Sequence, residues 1–225
     1  MKNAALAVKT MIQVIVFFIV FAVFIFLPAG TLSFWQGWAF FAVFCGSTLI
    51  VTIYFLFKDP ALIGRRIKSR ETRKEQKVFQ TISGFVFFIG LLVIPGLDHR
   101  FSWSSVPNII VAISDVFVLL GFIIVFLVFS INSYTSATIG VTEGQKVIST
   151  GVYAIVRHPM YLGAVIILVF MPLALNSLWA LLPALFICIF VCLRLLNEEK
   201  VLLEELDGYK EYCEKVRHHL IPFIW

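Results

Sequence analysis

Two short polar segments in the last third of the chain carry the side chains best suited to chemistry. The first is Arg157-His158-Pro159, which stands just before an apolar run that begins at Tyr161. Proline is favoured at the first position of a helix, where its missing N–H would have had no partner. We therefore predict a helix that begins at Pro159, with His158 at or next to its cap. The N–H groups and partial positive charge of such a helix end readily bind a carboxylate or a phosphate.

The second segment, residues 194–199, follows the last apolar run. Arg194 and Glu198 are four residues apart and share one helix face, whereas Glu199 lies about 100° further round the helix. This spacing alone is equally typical of a snorkelling arginine with an acidic partner on a solvated helix. If the two apolar runs between the segments form a hairpin, however, Arg194 and Glu198 return to the face at which His158 begins. Ionisable residues at such a boundary are candidates for function.

The composition indicates that these segments belong to an α-helical membrane protein. Of its 225 residues, 60% are hydrophobic and 14% charged, compared with about 45–50% and about 25% in soluble domains. The apolar residues form long blocks, and a spanning helix needs about 20 such residues to cross a hydrocarbon core about 30 Å thick. The longest blocks are residues 11–27, 34–57, 79–97 and 107–131.

Two further apolar runs, residues 161–175 and 178–193, are joined by Asn176-Ser177, which we interpret as a tight turn. Each run makes about 22–24 Å of helix at 1.5 Å per residue, which favours a hairpin that dips into or just crosses the bilayer. The predicted fold is therefore an all-α integral membrane bundle of about four transmembrane helices plus a C-terminal helical hairpin. Residues 1–131 would form the transmembrane region and residues 132–225 the cofactor-binding and catalytic region.

The charge distribution predicts the orientation. The net charge is +5, and residues 58–78 form a basic loop, whereas the loops at residues 28–33 and 98–106 carry little basic charge. The basic residues of this loop are Lys58, Arg65, Arg66, Lys68, Arg70, Arg73, Lys74 and Lys77. Because Lys and Arg collect on the cytoplasmic side of membrane proteins, both termini and the candidate site are predicted to be cytoplasmic. The positive charge is thus explained by topology, and nucleic-acid binding is not expected.

Several other classes of site have no support in the sequence. The four cysteines and four histidines show no metal-ligand spacing, so we predict no metal site. There is no glycine-rich dinucleotide motif, P-loop or nucleophile elbow. Any cofactor must therefore bind among helices and loops at the bilayer surface. The tail at residues 204–212 is predicted to be an amphipathic helix, broken at Gly208, that lies on the membrane surface and can cover a site.

Taken together, the motifs of the last third resemble the isoprenylcysteine carboxyl methyltransferase family and related membrane phospholipid methyltransferases. The resemblance rests on five blocks in a fixed order: KVISTGVY at 146–153, RHPMYLG at 157–163, RLLNEE at 194–199, GYKEY at 208–212 and LIPF at 220–223. Before residue 132 it extends only to the topology.

The resemblance implies S-adenosylmethionine as the methyl donor and a lipophilic acceptor that enters from the bilayer. It places the cofactor against Gln145, Lys146, Val147, Ile148, Tyr153, His158, Pro159, Met160 and Tyr161, with Glu199 on the cofactor side. It places Arg194 and Glu198 at the acceptor. The family often has histidine at the position of Gln145, and a backbone contact with the cofactor would survive this difference.

The sequence leaves the acceptor and two other functions open. A prenylcysteine carboxylate, a phospholipid amine and a small thiol all fit the same donor site. A sterol-reductase-like enzyme that uses NADPH has a similar C-terminal architecture. Its 2′-phosphate would require a cluster of arginines near the cofactor segment, where this chain offers Arg157 alone. A non-catalytic scaffold or a transporter is a third alternative. Transport is disfavoured because the charged groups gather at one membrane face rather than at the midplane.

Overall fold

The computed structural model describes residues 2–68, 74–135, 138–141, 144–222 and 224–225. Arg70 and Arg73 of the predicted basic loop, and Phe223 of the last motif, lie outside the described residues. Helices account for 76% of the structure, and the described residues form no strand. The prediction of an all-α protein is confirmed.

Nine α-helices are defined within the described ranges. They are α1 (Lys2–Ala29), α2 (Trp35–Lys58), α3 (Pro60–Lys68), α4 (Lys74–Phe85), α5 (Ile94–Phe101), α6 (Asn108–Ile131), α7 (Pro159–Ala174), α8 (Leu181–Glu205) and α9 (Tyr209–Lys215). A π-helical segment, Val86–Val93, joins α4 to α5 in one continuous rod, and a 3₁₀ turn, Gly151–Ala154, precedes α7. The basic loop of the sequence is thus largely helical, as α3 and the start of α4.

Among the described residues, five segments are long and apolar enough to cross a membrane. They are Ala4–Ala29, Trp35–Lys58, Gln80–Phe101, Asn108–Ile131 and Leu181–Glu205. Their outward faces carry large apolar side chains such as Leu27, Phe57 and Ile109, which are 74%, 85% and 67% exposed. Apolar surface of this kind is stable against lipid rather than water. The chain is a multi-pass membrane protein.

The C-terminal hairpin differs from its prediction in one arm. α7 has 16 residues and is short, as expected. α8 has 25 residues, about 38 Å of helix, so the prediction of a short second arm is wrong. The apolar run ends at Leu193, but the helical hydrogen bonds continue through the charged residues as far as Glu205. The predicted turn is confirmed, because Asn176 adopts a left-handed backbone (φ 56°) between the two helices.

Two glycines set the position of α7 against α6. A Cβ atom built on Gly121 would lie 2.8 Å from the carbonyl oxygen of Gly163, and a Cβ on Gly163 would lie 2.8 Å from that of Gly121. The two backbones therefore cross in direct contact, as at other membrane-helix interfaces rich in small residues. This crossing fixes α7, whose first residues form part of the site described below.

A buried carboxylate connects two loops at the end of the bundle where α5 ends and α7 turns into α8. Asp98 is fully buried at the end of α5. It accepts hydrogen bonds from the Ser104 backbone N–H (2.7 Å), the Ser104 hydroxyl (2.6 Å) and the Ser177 hydroxyl (2.6 Å). Nearby, the Asn176 side chain accepts one from the Val106 N–H at 2.6 Å. These bonds join the loop after α5 to the α7–α8 turn.

We expect the Asp98→Ala variant to be less stable than the wild type. Removal of the Asp98 carboxylate leaves the buried Ser177 hydroxyl and two half-buried Ser104 donors without an acceptor, at about 1–3 kcal/mol for each buried group left unpaired. The thermal unfolding midpoint in detergent should fall by several degrees, whereas replacing the exposed Asp207 by alanine should not change it. An unchanged midpoint for Asp98→Ala would mean that this network contributes no stability.

Candidate functional site

A cavity of about 430 Å³ opens at the end of the bundle where α7 begins and α8 ends. Its volume lies within the range of about 300–1,000 Å³ that is typical of small-molecule sites. Every residue that the sequence assigns to the cofactor or the acceptor lines this cavity, except Glu199. Those residues are Gln145, Lys146, Val147, Ile148, Tyr153, His158, Pro159, Met160, Tyr161, Arg194 and Glu198. The structure thus brings the two polar segments together, while the role of each residue stays a prediction.

His158 forms the cap of α7, and Pro159 is the first helical residue, as the sequence predicts. The imidazole is 5% exposed, and its Nε2 lies 3.4 Å from the Tyr209 hydroxyl. Burial lowers the pKa of His158 to about 4, an effect larger than the opposing attraction of the Glu199 carboxylate. The ring is therefore neutral near pH 7, so it can take part in hydrogen bonds but supplies no positive charge.

Tyr153 lines the cavity from the 3₁₀ turn and is held by the end of α6. Its hydroxyl accepts a hydrogen bond from the Asn132 side chain at 2.9 Å, and the Asn132 oxygen accepts the N–H of Tyr134 at 3.0 Å. Burial raises the pKa of Tyr153 to about 12, so its phenol stays protonated. The ring offers a neutral aromatic face to a bound ligand.

The residues predicted to contact the acceptor lie between α7 and α8. The Tyr161 hydroxyl donates a hydrogen bond to Oε2 of Glu198, and the Arg194 side chain is also hydrogen-bonded to Tyr161. A cation, a phenol and a carboxylate therefore meet at one point. Beyond them the wall is apolar, formed by Ala164, Ile187, Phe190 and Val191. A polar centre beside an apolar wall suits a lipophilic molecule with a polar reacting group.

Glu199 lies behind the cavity wall rather than in it. Its side chain is 8% exposed, and its Oε1 lies 2.5 Å from Nη1 of Arg157. Its Oε2 lies 2.7 Å from Nδ1 of His219. The resemblance places this residue on the cofactor side, but the structure makes it the centre of a buried ion pair. The rotation of about 100° between adjacent helical residues separates it from Glu198.

The tail folds back over the site. α8 ends at Glu205, and Gly208 takes a left-handed backbone (φ 80°) that turns the chain into α9. Tyr209 and Tyr212 are both 4% exposed and line the cavity. The Tyr212 hydroxyl donates to the Tyr153 carbonyl at 2.7 Å. The GYKEY motif therefore supplies two cavity residues that the sequence did not assign to the site.

The N-terminal region also contributes residues that sequence reasoning missed. Arg66 of α3 and Gln80 and Ser83 of α4 line the cavity. The Arg66 guanidinium lies 4.8 Å from the centre of the Phe129 ring, in a cation–π contact with α6. In the sequence, Arg66 is one of several basic residues in a loop whose charge is explained by membrane orientation. No sequence feature therefore marked it as a residue of the site. Within the part of the chain described, no group of three His, Cys, Asp or Glu side chains is placed to hold a metal ion.

Comparison with known proteins gives one family. Residues 109–208 match the family model described as phospholipid methyltransferase. The match covers α6, α7, α8 and the loop between α6 and α7, and so most of the cavity. The search of curated proteins found no match. The match confirms the relation to the membrane methyltransferases that the motifs indicate, a relation shared by the isoprenylcysteine family. Residues 109–208, a little under half of the chain, are therefore similar to the phospholipid methyltransferases, and this similarity supports the general class of enzyme that the motifs predict, a methyltransferase.

Proposed function

We propose that this protein uses S-adenosylmethionine to methylate a carboxyl group on a lipophilic acceptor that enters from the bilayer. The observation that carries the proposal is the shared cavity, which residues 145–148 and the start of α7 line together with Arg194 and Glu198. Group transfer requires a donor subsite and an acceptor subsite next to each other, and one cavity that holds both meets this requirement.

The residues of the donor subsite fit the chemical groups of S-adenosylmethionine. The backbone N–H groups of Met160 and Tyr161, in the first turn of α7, have no partner within the helix and suit a carboxylate. The rings of Tyr153, Tyr209 and Tyr212 suit an adenine or a sulfonium. Because His158 is neutral, it does not repel a cationic ligand. When bound, the cofactor supplies a methyl group activated by its positive sulfur.

Arg194 and Glu198 are assigned to the acceptor. An arginine binds a carboxylate through two parallel hydrogen bonds, so Arg194 would fix the direction of the acceptor oxygen. Glu198, through their common partner Tyr161, would hold the arginine in place. An ionised carboxylate is already a nucleophile and needs no general base. The main contributions of the chain are therefore alignment and the exclusion of water.

A phospholipid amine is the second candidate acceptor, favoured by the family match. A protonated amine must lose a proton before it can attack, and Glu198 is the carboxylate in the cavity wall that could take it. The same fold would then serve a different acceptor with a different role for Glu198.

The proposed cytoplasmic orientation follows from charge. Arg65 and Arg66 lie on α3, at the end of the bundle where the cavity opens. The Arg65 side chain donates to the Ser133 carbonyl, just after α6. The basic region and the cavity therefore share one membrane face, and basic residues favour the cytoplasmic face.

Isothermal titration of the detergent-solubilised protein with S-adenosylhomocysteine tests the donor assignment. We expect the wild type to bind, and the Tyr153→Ala variant to bind about tenfold more weakly, since an aromatic contact contributes about 0.5–1.5 kcal/mol beyond its buried area. Tyr153→Phe keeps the aromatic ring and should lose less affinity for S-adenosylhomocysteine than Tyr153→Ala.

A parallel titration with NADPH separates the alternatives. Binding of NADPH without binding of S-adenosylhomocysteine by a folded preparation would overturn the methyl-donor assignment and favour the reductase. Equal affinities of the Tyr153→Ala and wild-type proteins for S-adenosylhomocysteine would show that the donor does not lie against this ring.

A further inference from the structure

The segment that follows α8 is hydrogen-bonded to the residues just before α7. We call residues 209–219 the C-terminal clasp. Two backbone hydrogen bonds hold its end: the Arg157 N–H donates to the His218 carbonyl at 2.9 Å, and the His158 N–H donates to the His219 carbonyl at 3.0 Å. The clasp therefore braces the residue that caps α7.

The Arg157 guanidinium holds the clasp from its other side. Its Nε donates to the Val216 carbonyl at 2.6 Å, and its Nη2 donates to the Cys213 carbonyl at 3.0 Å. Its Nη1 donates to Glu199 at 2.5 Å. One side chain from the loop before α7 thus binds the backbone of the clasp at two points and α8 at a third.

Glu199 connects both sides of this arrangement. One carboxylate oxygen binds Arg157, and the other lies 2.7 Å from the His219 ring nitrogen. The Trp225 ring stacks on His219, with ring centres 5.2 Å apart and planes at 21°. The Glu199 carboxylate is 8% exposed and hydrogen-bonded to Arg157, so its removal would leave the part-buried guanidinium without its counter-charge.

We propose that Glu199 is a positioning residue that shapes the donor subsite without touching the ligand. Through Arg157 and His219 it seats the clasp, and the clasp places Tyr209, Tyr212 and the His158 cap in the cavity wall. The identity of the ligand rests on the proposed function, whereas the seating of the clasp does not.

Glu198 provides a matched control for Glu199. The two residues are adjacent, have the same side chain and lie on the same helix, but Glu198 lines the cavity whereas Glu199 faces the clasp. A glutamine at either position keeps the size of the side chain and removes its charge. Any effect on the clasp that depends on the ion pair should therefore appear at position 199 and not at position 198.

The decisive experiment is hydrogen–deuterium exchange on the ligand-free protein in detergent. In Glu199→Gln, the amides of Arg157 and His158 should exchange about tenfold faster or more than in the wild type, since charge-assisted hydrogen bonds that hold their acceptors are lost. Glu198→Gln should leave their exchange unchanged. Unchanged exchange in Glu199→Gln, or equal acceleration in both variants, would overturn the proposal.

Titration with S-adenosylhomocysteine gives the second readout. The affinity of Glu199→Gln should fall about tenfold, although this residue lies outside the cavity wall, because the wall is no longer held in place. Retention of wild-type affinity alongside faster exchange would overturn the proposed effect on the subsite. If the wild type does not bind this ligand, the proposed function fails, and the exchange experiment still decides the seating of the clasp.

A variant with a milder change covers the case in which Glu199→Gln does not fold. His219→Gln leaves the Arg157–Glu199 pair intact and removes the contact of the 24% exposed histidine ring with Glu199, together with its stacking on Trp225. It should accelerate the same two amides to a smaller extent. Wild-type exchange in this variant would count against the part that His219 plays in seating the clasp.

Discussion

Replacing Arg194 by alanine is expected to lower kcat/KM for a carboxylate acceptor by about 100-fold or more, with little change in the affinity for S-adenosylhomocysteine. The guanidinium lies at the polar centre of the proposed acceptor subsite, with Tyr161 and Glu198. Without it, an acceptor carboxylate would lose both its counter-charge and its direction. The measurement is transfer of a radiolabelled methyl group to N-acetyl-S-farnesylcysteine in detergent, together with a titration of the donor subsite.

Two variants sharpen this result. Arg194→Lys keeps the charge but loses the planar pair of donors, so it should recover only part of the activity. Glu198→Gln distinguishes the acceptor classes, because a lost general base reduces the rate by about 10²–10⁴-fold, and a lost positioning contact has a smaller effect. If Arg194→Ala transfers methyl groups as fast as the wild type, Arg194 does not contact the acceptor. If Glu198→Gln transfers methyl groups as fast as the wild type, Glu198 acts neither as a general base nor as a positioning contact.

The largest expected loss of stability comes from the crossing of α6 and α7. We expect Gly163→Val to reduce the yield of folded, monodisperse protein and to lower the thermal unfolding midpoint. A Cβ at this position would lie 2.8 Å from the Gly121 carbonyl oxygen and 3.2 Å from the Val125 side chain. Overpacking of this kind costs about 1–3 kcal/mol, and more where backbone atoms are in contact. Because the first residues of α7 belong to the proposed donor subsite, any folded variant should also bind S-adenosylhomocysteine more weakly.

The control for this prediction is a glycine of α2. A Cβ atom built on Gly46 meets no other atom within 4 Å, so Gly46→Ala adds a methyl group without a clash. It should leave the unfolding midpoint unchanged or raise it slightly, as expected from the higher helix propensity of alanine. A wild-type midpoint for Gly163→Val would show that the two helices can separate without loss of stability.

Local physical rules determined much of this protein from the sequence alone. Long apolar blocks can be stable only as membrane helices, and they predict the transmembrane segments. Proline at a first helical position correctly predicts the start of α7 at Pro159. The turn at Asn176 and the break at Gly208 follow from residues that tolerate a left-handed backbone. The hairpin between the two polar segments then explains why Tyr161 meets Glu198.

Tertiary packing decided the rest, because it depends on which face of each helix meets which neighbour. Spacing shows that Glu198 and Glu199 point in different directions, but the contacts of Arg157 and His219 decide that Glu199 is buried away from the cavity. Arg66 appears in the sequence as one positive charge among many, and only the fold of α3 against α6 brings it to the cavity wall. Helical periodicity is a local property of the chain, whereas contacts between residues 40 or more positions apart form only when the whole bundle is packed.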